Sequence, residues 1–238
     1  STVDRIDYTN DTATAVVKGP LSFGRKGLRA TGNASFGYFS CGFYYTSIVD
    51  RIDYSNDTAT AAVKGPLSVA KARAAATGNT DFGYFGGGQP TMSTVDRIDY
   101  SNDTATAVAK GPLSVARYGM GATGNASFGY FGGGRLTIST VDRIDYSNDT
   151  ATAVAKGPLS AGRSYQGATG NVSFGYFGGG RMIPAQSTVD RIDYSNDTAT
   201  AAAKGPLSAA RYGLAASSAQ ANGLPQTTLF PAPTVREN

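Results

Sequence analysis

The chain repeats one sequence unit five times, and this repetition constrains its fold more than any other feature. The string VDRIDY begins at five valines, with spacings of 46, 46, 46 and 48 residues: Val3, Val49, Val95, Val141 and Val189. Repeats of this period are typical of architectures in which each copy buries its apolar surface against its neighbours. We therefore expect five structural units, which start near residues 1, 47, 93, 139 and 187.

Each unit contains four short segments with the composition of β-strands. In the third unit, residues 93–100 read STVDRIDY and are rich in β-branched and aromatic residues, and the SNDT that follows is a turn signal. TATAVAK, ARYGMGAT and ASFGYFGGG follow, separated by GPLS and by a Gly-Asn turn. Since no segment shows a long 3.6-residue apolar period, the sequence predicts an all-β fold.

Four strands in a unit of this length favour the blade of a β-propeller over a solenoid. We call the strands a to d from axis to rim, with ARYGMGAT as strand a and TATAVAK as strand d. The chain then begins with strands c and d and ends with strand a at residues 211–217. If LPQTTLF, within residues 220–230, is the last strand b, the terminal segments complete a fifth blade.

The sequence thus predicts one closed five-bladed propeller over residues 1–230, with a tail of residues 231–238. If residues 220–230 do not form a strand, the ring is open. In that case the chain is a fragment, or it closes by associating with another chain.

The order GPLSxAR, GYFGGG and STVDRIDYSNDT resembles the kelch repeat, and the likeness extends over all five units. The resemblance implies diglycines at Gly87–Gly88, Gly133–Gly134 and Gly179–Gly180, and it implies pre-strand arginines at Arg25, Arg117, Arg163 and Arg211. The outer-strand tryptophan of kelch repeats is absent, and the first unit reads GYFSCG in place of the diglycine. The units are also similar to propeller repeats encoded by marine tailed phages.

The composition argues against several classes of function. The chain has no histidine and one cysteine, Cys41, so neither histidine-based catalysis nor a disulfide framework or cysteine-rich zinc site is expected. No apolar run reaches the roughly 18 residues that a membrane span needs. We predict a non-enzymatic protein without cofactor or metal, and carboxylate-based glycoside hydrolysis remains the enzymatic alternative.

The net charge of +4 comes from outside the repeated positions. Each unit carries three acidic and three basic residues at fixed positions, and these cancel. The surplus bases lie mainly in variable segments, whereas the constant scaffold is neutral. A charge this small does not indicate a nucleic-acid-binding protein.

The variable segments are predicted to share one face of the molecule. Strands alternate in direction, so the a–b and c–d turns lie on one face and the b–c and d–a loops on the other. The turns are nearly constant (ATGN and YSND), whereas the loops differ in every unit. Loops on a rigid scaffold commonly carry binding residues. The candidate binding residues are Lys26, Arg29, Phe43, Tyr44, Tyr45, Gln89, Met92, Tyr118, Arg135, Tyr165, Arg181 and Tyr212.

Aromatic residues and arginine are enriched in interfaces, which favours recognition. The alternative is that loops under little selection diverge while tight turns cannot.

Two features of the repeated turns have structural interpretations. The Asp and Asn oxygens near Asp7, Asn10 and Asp11 suit either calcium or a plain Asx turn, and the missing glycine and distal glutamate favour the turn. Arg5, with Asp4 and Asp7 beside it, recurs in every unit and predicts an ion-pair network between blades.

Three functions follow as hypotheses. The first is a binding propeller, extracellular or on a virion, whose variable face contacts a host surface protein or glycan. The second is a structural component of a phage tail or capsid, with neighbouring virion proteins or further copies of itself as partners. The third is an intracellular kelch-type adaptor.

Overall fold

The computed structural model describes residues 1–135 and 138–217, and its strands form repeated antiparallel sheets. A two-stranded hairpin comes first, with β1 (Val3–Arg5) and β2 (Val16–Lys18). Four four-stranded sheets follow. Sheet I contains β3 (Arg29–Gly32), β4 (Phe36–Ser40), β5 (Val49–Asp53) and β6 (Ala62–Lys64).

The next three sheets repeat this pattern in the same chain order. Sheet II contains β7 (Ala75–Gly78), β8 (Phe82–Gly88), β9 (Met92–Asp99) and β10 (Val108–Lys110). Sheet III contains β11 (Gly121–Gly124), β12 (Phe128–Gly132), β13 (Val141–Asp145) and β14 (Val154–Lys156). Sheet IV contains β15 (Gly167–Gly170), β16 (Phe174–Gly178), β17 (Val189–Asp193) and β18 (Ala202–Lys204). The all-β class and the four-stranded repeat are confirmed.

A one-turn 3-10 helix follows the third strand of each sheet, at Tyr54–Asn56, Tyr100–Asn102, Tyr146–Asn148 and Tyr194–Asn196. Before each one, an aspartate caps the turn. Asp53 Oδ1 accepts hydrogen bonds from Ser55 N at 2.9 Å and from Ser55 Oγ at 2.6 Å. These bonds lower the pKa of Asp53. The aspartate therefore acts as an Asx-type cap, which explains its recurrence.

Strand d is shorter than the sequence predicts. TATAVAK in the third unit contributes only its last three residues to β10. The preceding residues join two sheets instead, since Ala107 N donates to Pro66 O at 2.8 Å.

The first strands of the sheets lie side by side in the order β3, β7, β11 and β15. The equivalent alanines of all five units line one cavity of about 260 Å³: Ala30, Ala76, Ala122, Ala168 and Ala216. The small side chains allow the inner strands to approach the axis closely. The units are therefore arranged around a common centre.

One set of side chains joins each sheet to the next, and we call it the sheet clamp. Between sheets I and II, Asp103 of sheet II accepts at Oδ2 from Tyr38 Oη at 2.9 Å and from Arg51 Nη1 at 2.7 Å. Its Oδ1 lies 3.2 Å from Lys64 Nζ. Burial raises the pKa of Asp103, but these three partners outweigh burial and hold the pKa below its usual value.

The clamp recurs at Asp149 and Asp197, and Asp57 accepts from Arg5 and Lys18 of the hairpin. An ion-pair network between units is therefore present. Its partners differ from those expected, because Arg5 pairs with Asp57 of the next unit rather than with Asp4 or Asp7. The guanidinium reaches across the junction, where a carboxylate is largely removed from water.

Apolar contacts complete each junction. Tyr38, Tyr84 and Tyr130 stack on Tyr100, Tyr146 and Tyr194, with ring centroids 4.7–4.8 Å apart. A glycine marks the closest backbone approach: a Cβ on Gly111 would lie 1.8 Å from Ala151 O, and Gly111 N donates to Asp149 O at 2.8 Å. Only glycine fits at this contact.

The pre-strand bases form a second, buried set of ion pairs within each sheet. Arg117 pairs with Asp142 at 3.0 Å and also donates to Phe131 O. The equivalent pairs are Arg25–Asp50, Lys71–Asp96 and Arg163–Asp190. These side chains connect the start of the first strand to the second and third strands, so they hold the sheet together.

The fifth unit differs from the predicted four-stranded blade. Its regular structure is limited to β1 and β2, and residues 211–217 form no strand, contrary to the prediction of a last strand a. The predicted neighbouring strand b, residues 220–230, lies outside the described residues. Residues 211–217 make no strand ladder in the described part of the chain and bond instead to sheet IV, where Gly213 N donates to Tyr165 O at 2.8 Å.

Candidate functional site

The variable loops are attached to a backbone frame that is the same in every sheet. The residue after each Gly-Gly (Cys-Gly in unit one) donates its N–H to the carbonyl of the residue after the pre-strand base. These bonds are Phe43 N to Lys26 O, Gln89 N to Ala72 O, Arg135 N to Tyr118 O, and Arg181 N to Ser164 O, at 2.6–2.9 Å. The side chains at both positions differ between units while the backbone does not. The frame therefore tolerates a wide choice of side chains.

One position per unit on this face has a left-handed backbone. Three units use glycine there, at Gly27, Gly119 and Gly213, with φ of 71 to 75°. The other two use Arg73 and Tyr165, with φ of 54 and 57°. A side chain in this conformation costs about 1–2 kcal/mol relative to glycine's freedom. Two units thus have a residue with a strained backbone at a position where the other three units have glycine.

These positions also form part of a rim around the axis. Gly119 N donates to Arg73 O at 2.9 Å, Tyr165 N donates to Gly119 O at 2.7 Å, and Gly213 N donates to Tyr165 O. The rim fixes the left-handed backbone, so the side chains of Arg73 and Tyr165 project from a rigid base. Arg73 Nη1 donates to Tyr165 Oη at 3.0 Å, although 92 residues separate the two in the chain.

Cys41 is the third non-glycine residue with positive φ, at 62°. It occupies the first position of the diglycine and is fully buried. Burial raises the pKa of the Cys41 thiol to about 11, so the thiol is protonated at neutral pH and unreactive.

A cavity of about 650 Å³ opens at the centre of the variable face. Four arginines and three aromatic residues belong to its lining, together with small and apolar residues, and none of the acidic residues that the structure describes does. The lining residues are Gly27, Arg29, Phe43, Arg73, Arg135, Ser164, Tyr165, Arg181, Met182, Ile183, Tyr212 and Gly213. The volume is within the range of small-molecule sites.

Each of the four arginines comes from a different unit. Arg73 lies over the Phe43 ring at 4.7 Å, and Arg181 lies over the Tyr212 ring at 5.8 Å. Arg29 donates to Leu28 O at 2.7 Å, and burial lowers its pKa. Within residues 1–135 and 138–217, none of the four forms an ion pair with a carboxylate. Positive charge therefore converges on the cavity without a compensating acid in that part of the chain.

Six of the twelve candidate binding residues line this cavity: Arg29, Phe43, Arg135, Tyr165, Arg181 and Tyr212. Lys26 lies just outside, with its ammonium 4.6 Å from the Phe43 ring centre. Tyr44 and Tyr45 are exposed, at 72% and 57%. The structure thus gathers most of the candidates on one face.

Three candidates contribute less to an accessible surface. Tyr118 is buried, and its hydroxyl accepts a hydrogen bond from Arg135, so it supports that arginine. Gln89 is half-buried and pairs through its backbone with Ala72. Met92 is half-buried at the start of β9. An aromatic or amide side chain in a variable loop is therefore not always presented to a ligand.

Sequence reasoning missed Arg73 as a site residue. Arg73 is one of the bases outside the repeated charged positions, but its place after Ala72 in the sequence gives no sign of a central location. The signal was available in the alignment of the units, because Arg73 and Tyr165 stand where Gly27, Gly119 and Gly213 stand in the others. A glycine position occupied by a large polar residue is a useful marker of a strained site.

The described residues contain no group of three or more His, Cys, Asp or Glu side chains that could hold a metal ion. None of their helices has the length and apolar character to cross a membrane. Comparison with models of known protein families and with curated proteins found no match to this chain.

Proposed function

We propose that this chain is a non-enzymatic recognition module that binds a protein or glycan of a cell surface through its variable face. The observation that supports this most is the central cavity, where residues from all five units come together. The same backbone frame presents side chains that vary between units at equivalent positions. Loop divergence alone does not account for arginine and aromatic side chains collecting around one cavity with no acid among its described lining residues.

We further propose an extracellular or virion location, as the resemblance to phage-encoded propeller repeats suggests. A structural role in a tail or capsid is the second candidate. The exposed Tyr44 and Tyr45 favour it, because exposed tyrosines are typical of protein contacts.

The proposal is tested by a binding measurement on cells and on a glycan array. A variant with Tyr44, Tyr45, Arg135 and Arg181 changed to alanine is compared with a control on the opposite face, Thr80→Ala with Asp81→Asn in the β7–β8 turn. We expect the first variant to lose binding and the control to keep it. Equal binding by both would refute recognition through the variable face.

We also propose that the five units close into a five-bladed ring within one chain. Sheet IV carries the donors of a fifth clamp in Tyr176, Arg191 and Lys204, and Arg191 already lies over Phe174 at 4.3 Å. The equivalent arginines of sheets I to III lie over their phenylalanines at 4.2–4.3 Å. Asp11 is the matching acceptor, since it occupies the position of Asp57 in the first unit.

Gly205→Ala tests this closure. In the described residues no atom lies within 4 Å of a Cβ built there, whereas the equivalent Cβ on Gly157 would lie 1.8 Å from Ala199 O. A closed ring predicts that Gly205→Ala lowers the melting temperature nearly as much as Gly157→Ala, in a protein that sediments as a monomer. If Gly205→Ala leaves the melting temperature unchanged and the protein is a monomer, the fifth junction stays open. If the protein is an obligate oligomer, a second copy closes the junction.

A further inference from the structure

We infer that the central cavity of the variable face binds a small acidic saccharide, whose carboxylate or sulfate groups contact the four arginines. This inference rests on the proposed function and names the ligand class of the same site.

The charge distribution is the first argument. Arg29, Arg73, Arg135 and Arg181 line one cavity, and in the described part of the chain no carboxylate neutralises them. Arg29 and Arg73 are partly buried, whereas Arg135 and Arg181 are exposed. A partly buried cation without a carboxylate partner is unfavourable, so an anion that pairs with Arg29 and Arg73 should bind favourably. The guanidinium group matches the geometry of carboxylate and sulfate, with two parallel hydrogen bonds. The site therefore favours a ligand with more than one negative group.

The lining and size of the cavity are the second argument. Phe43, Tyr165 and Tyr212 provide ring surfaces between the arginines, and Tyr hydroxyls and Ser164 provide neutral hydrogen-bonding groups. Sugar rings offer apolar C–H faces to aromatic rings and hydroxyls to such polar groups. A volume of about 650 Å³ accommodates a few sugar units rather than a folded partner.

The strained residues are the third argument. Arg73 and Tyr165 keep a left-handed backbone where three other units have glycine, both line the cavity, and Arg73 donates a hydrogen bond to the Tyr165 hydroxyl. Strain of this kind persists at sites where the side chain serves a ligand. Because Arg73 contacts both Phe43 and Tyr165, it is positioned to meet an acidic group and the ring face next to it.

Binding is measured by calorimetry with trigalacturonate and sulfated lactose, against galactotriose and lactose as neutral counterparts. We expect the acidic sugars to bind about tenfold more tightly or better, with affinity that falls as salt rises. Arg73→Gly should weaken acidic-sugar binding about tenfold without lowering the melting temperature, because glycine suits this backbone. Thr80→Asp, which lowers the net charge by the same amount at an exposed position of the β7–β8 turn, is the matched control and should bind like the unchanged protein.

Several outcomes overturn the inference. If neutral and acidic sugars bind equally, the proposed recognition function is retained, but the preference for an acidic saccharide is refuted. If Arg73→Gly binds acidic sugar normally, the ligand lies elsewhere. If a thymidine oligonucleotide of equal charge binds more tightly, the cavity serves nucleotides. If no sugar binds while cells are still bound through this face, the ligand is a protein. If neither sugars nor cells are bound, both proposals fail.

Discussion

Between neighbouring units, an arginine and a lysine of one unit meet an aspartate of the next four times over. Around the cavity, by contrast, the set of lining side chains is not repeated from unit to unit. At these four junctions each arginine and lysine of the clamp has a carboxylate partner. At the cavity, cations lie together and two residues hold a strained backbone. The repeated region is thus built for stability, and the variable region retains features that reduce stability. Substitutions should therefore act in opposite directions in the two regions.

The largest expected effect is at the closest approach of two sheets. Gly111→Ala places a Cβ 1.8 Å from Ala151 O, so the backbones must separate and the neighbouring clamp must stretch. We expect a loss of about 3 kcal/mol in the free energy of unfolding, at the upper end for overpacking. Chemical denaturation measures it. Gly24→Ala, whose Cβ would have its nearest neighbour at 3.6 Å, is the control and should change stability little.

Removing a clamp acceptor should have the next largest effect. Asp103→Ala leaves Tyr38, Arg51 and Lys64 without their shared carboxylate. We expect a loss of about 2 kcal/mol, because partly buried hydrogen bonds to a charged group are broken. The double variant Asp103→Ala with Lys64→Met is compared with the two single variants. This comparison separates the contribution of the Lys64–Asp103 ion pair to the free energy of unfolding from that of the other clamp bonds. Unchanged stability in Asp103→Ala would show that the clamp does not hold sheets I and II together.

Acid should weaken the junctions before it affects the cavity. The pKa values of Asp103 and Asp197 lie below their usual value in the folded protein. Their contribution is therefore complete above the unfolded pKa of about 4, and it is lost as pH falls through the lower folded pKa. We expect stability to be flat from pH 7 to about 5 and to decline below about 4, in urea titrations at each pH. Asp103→Asn should make this decline shallower, and an unchanged slope would contradict the assignment.

The smallest effect has the opposite sign. Arg73→Gly relieves the left-handed strain, partly offset by the greater freedom of glycine in the unfolded chain, and should stabilise the protein by about 0.5–1 kcal/mol. Arg181→Gly, at a position without positive φ, is the control and should give no gain. A loss of stability in Arg73→Gly would mean that its contacts with Phe43 and Tyr165 outweigh the strain. The contrast between the two regions would then disappear at this residue.

The repeated part of the molecule was largely predictable from the sequence, because five near-identical copies define strand order and separate constant turns from variable loops. The clamp was only half predictable. The sequence shows that Arg5 and three aspartates recur, but it does not show that Arg5 selects Asp57, which lies 52 residues away. That choice depends on how one sheet lies against the next.

The sequence predicted the face that carries the candidate site, but it did not predict that the site is a cavity. Arg135 and Arg181 were found because they stand in obviously variable loops. Tyr118 was expected to be presented to a ligand, but its side chain turns inward and only its hydroxyl reaches Arg135. Arg73 was missed because its importance lies in its backbone conformation, which only the comparison with Gly27, Gly119 and Gly213 reveals.

The sheet clamp also has a consequence for how the chain finds its native order. At the three junctions between four-stranded sheets the donors and the acceptor are the same, so Tyr38, Arg51 and Lys64 match Asp149 or Asp197 as well as they match Asp103. The interaction itself cannot distinguish one neighbour from another. Only the short connections between consecutive units favour the correct pairing, by keeping the next unit at high local concentration. Lengthening one such connection should therefore promote exchange of units between molecules.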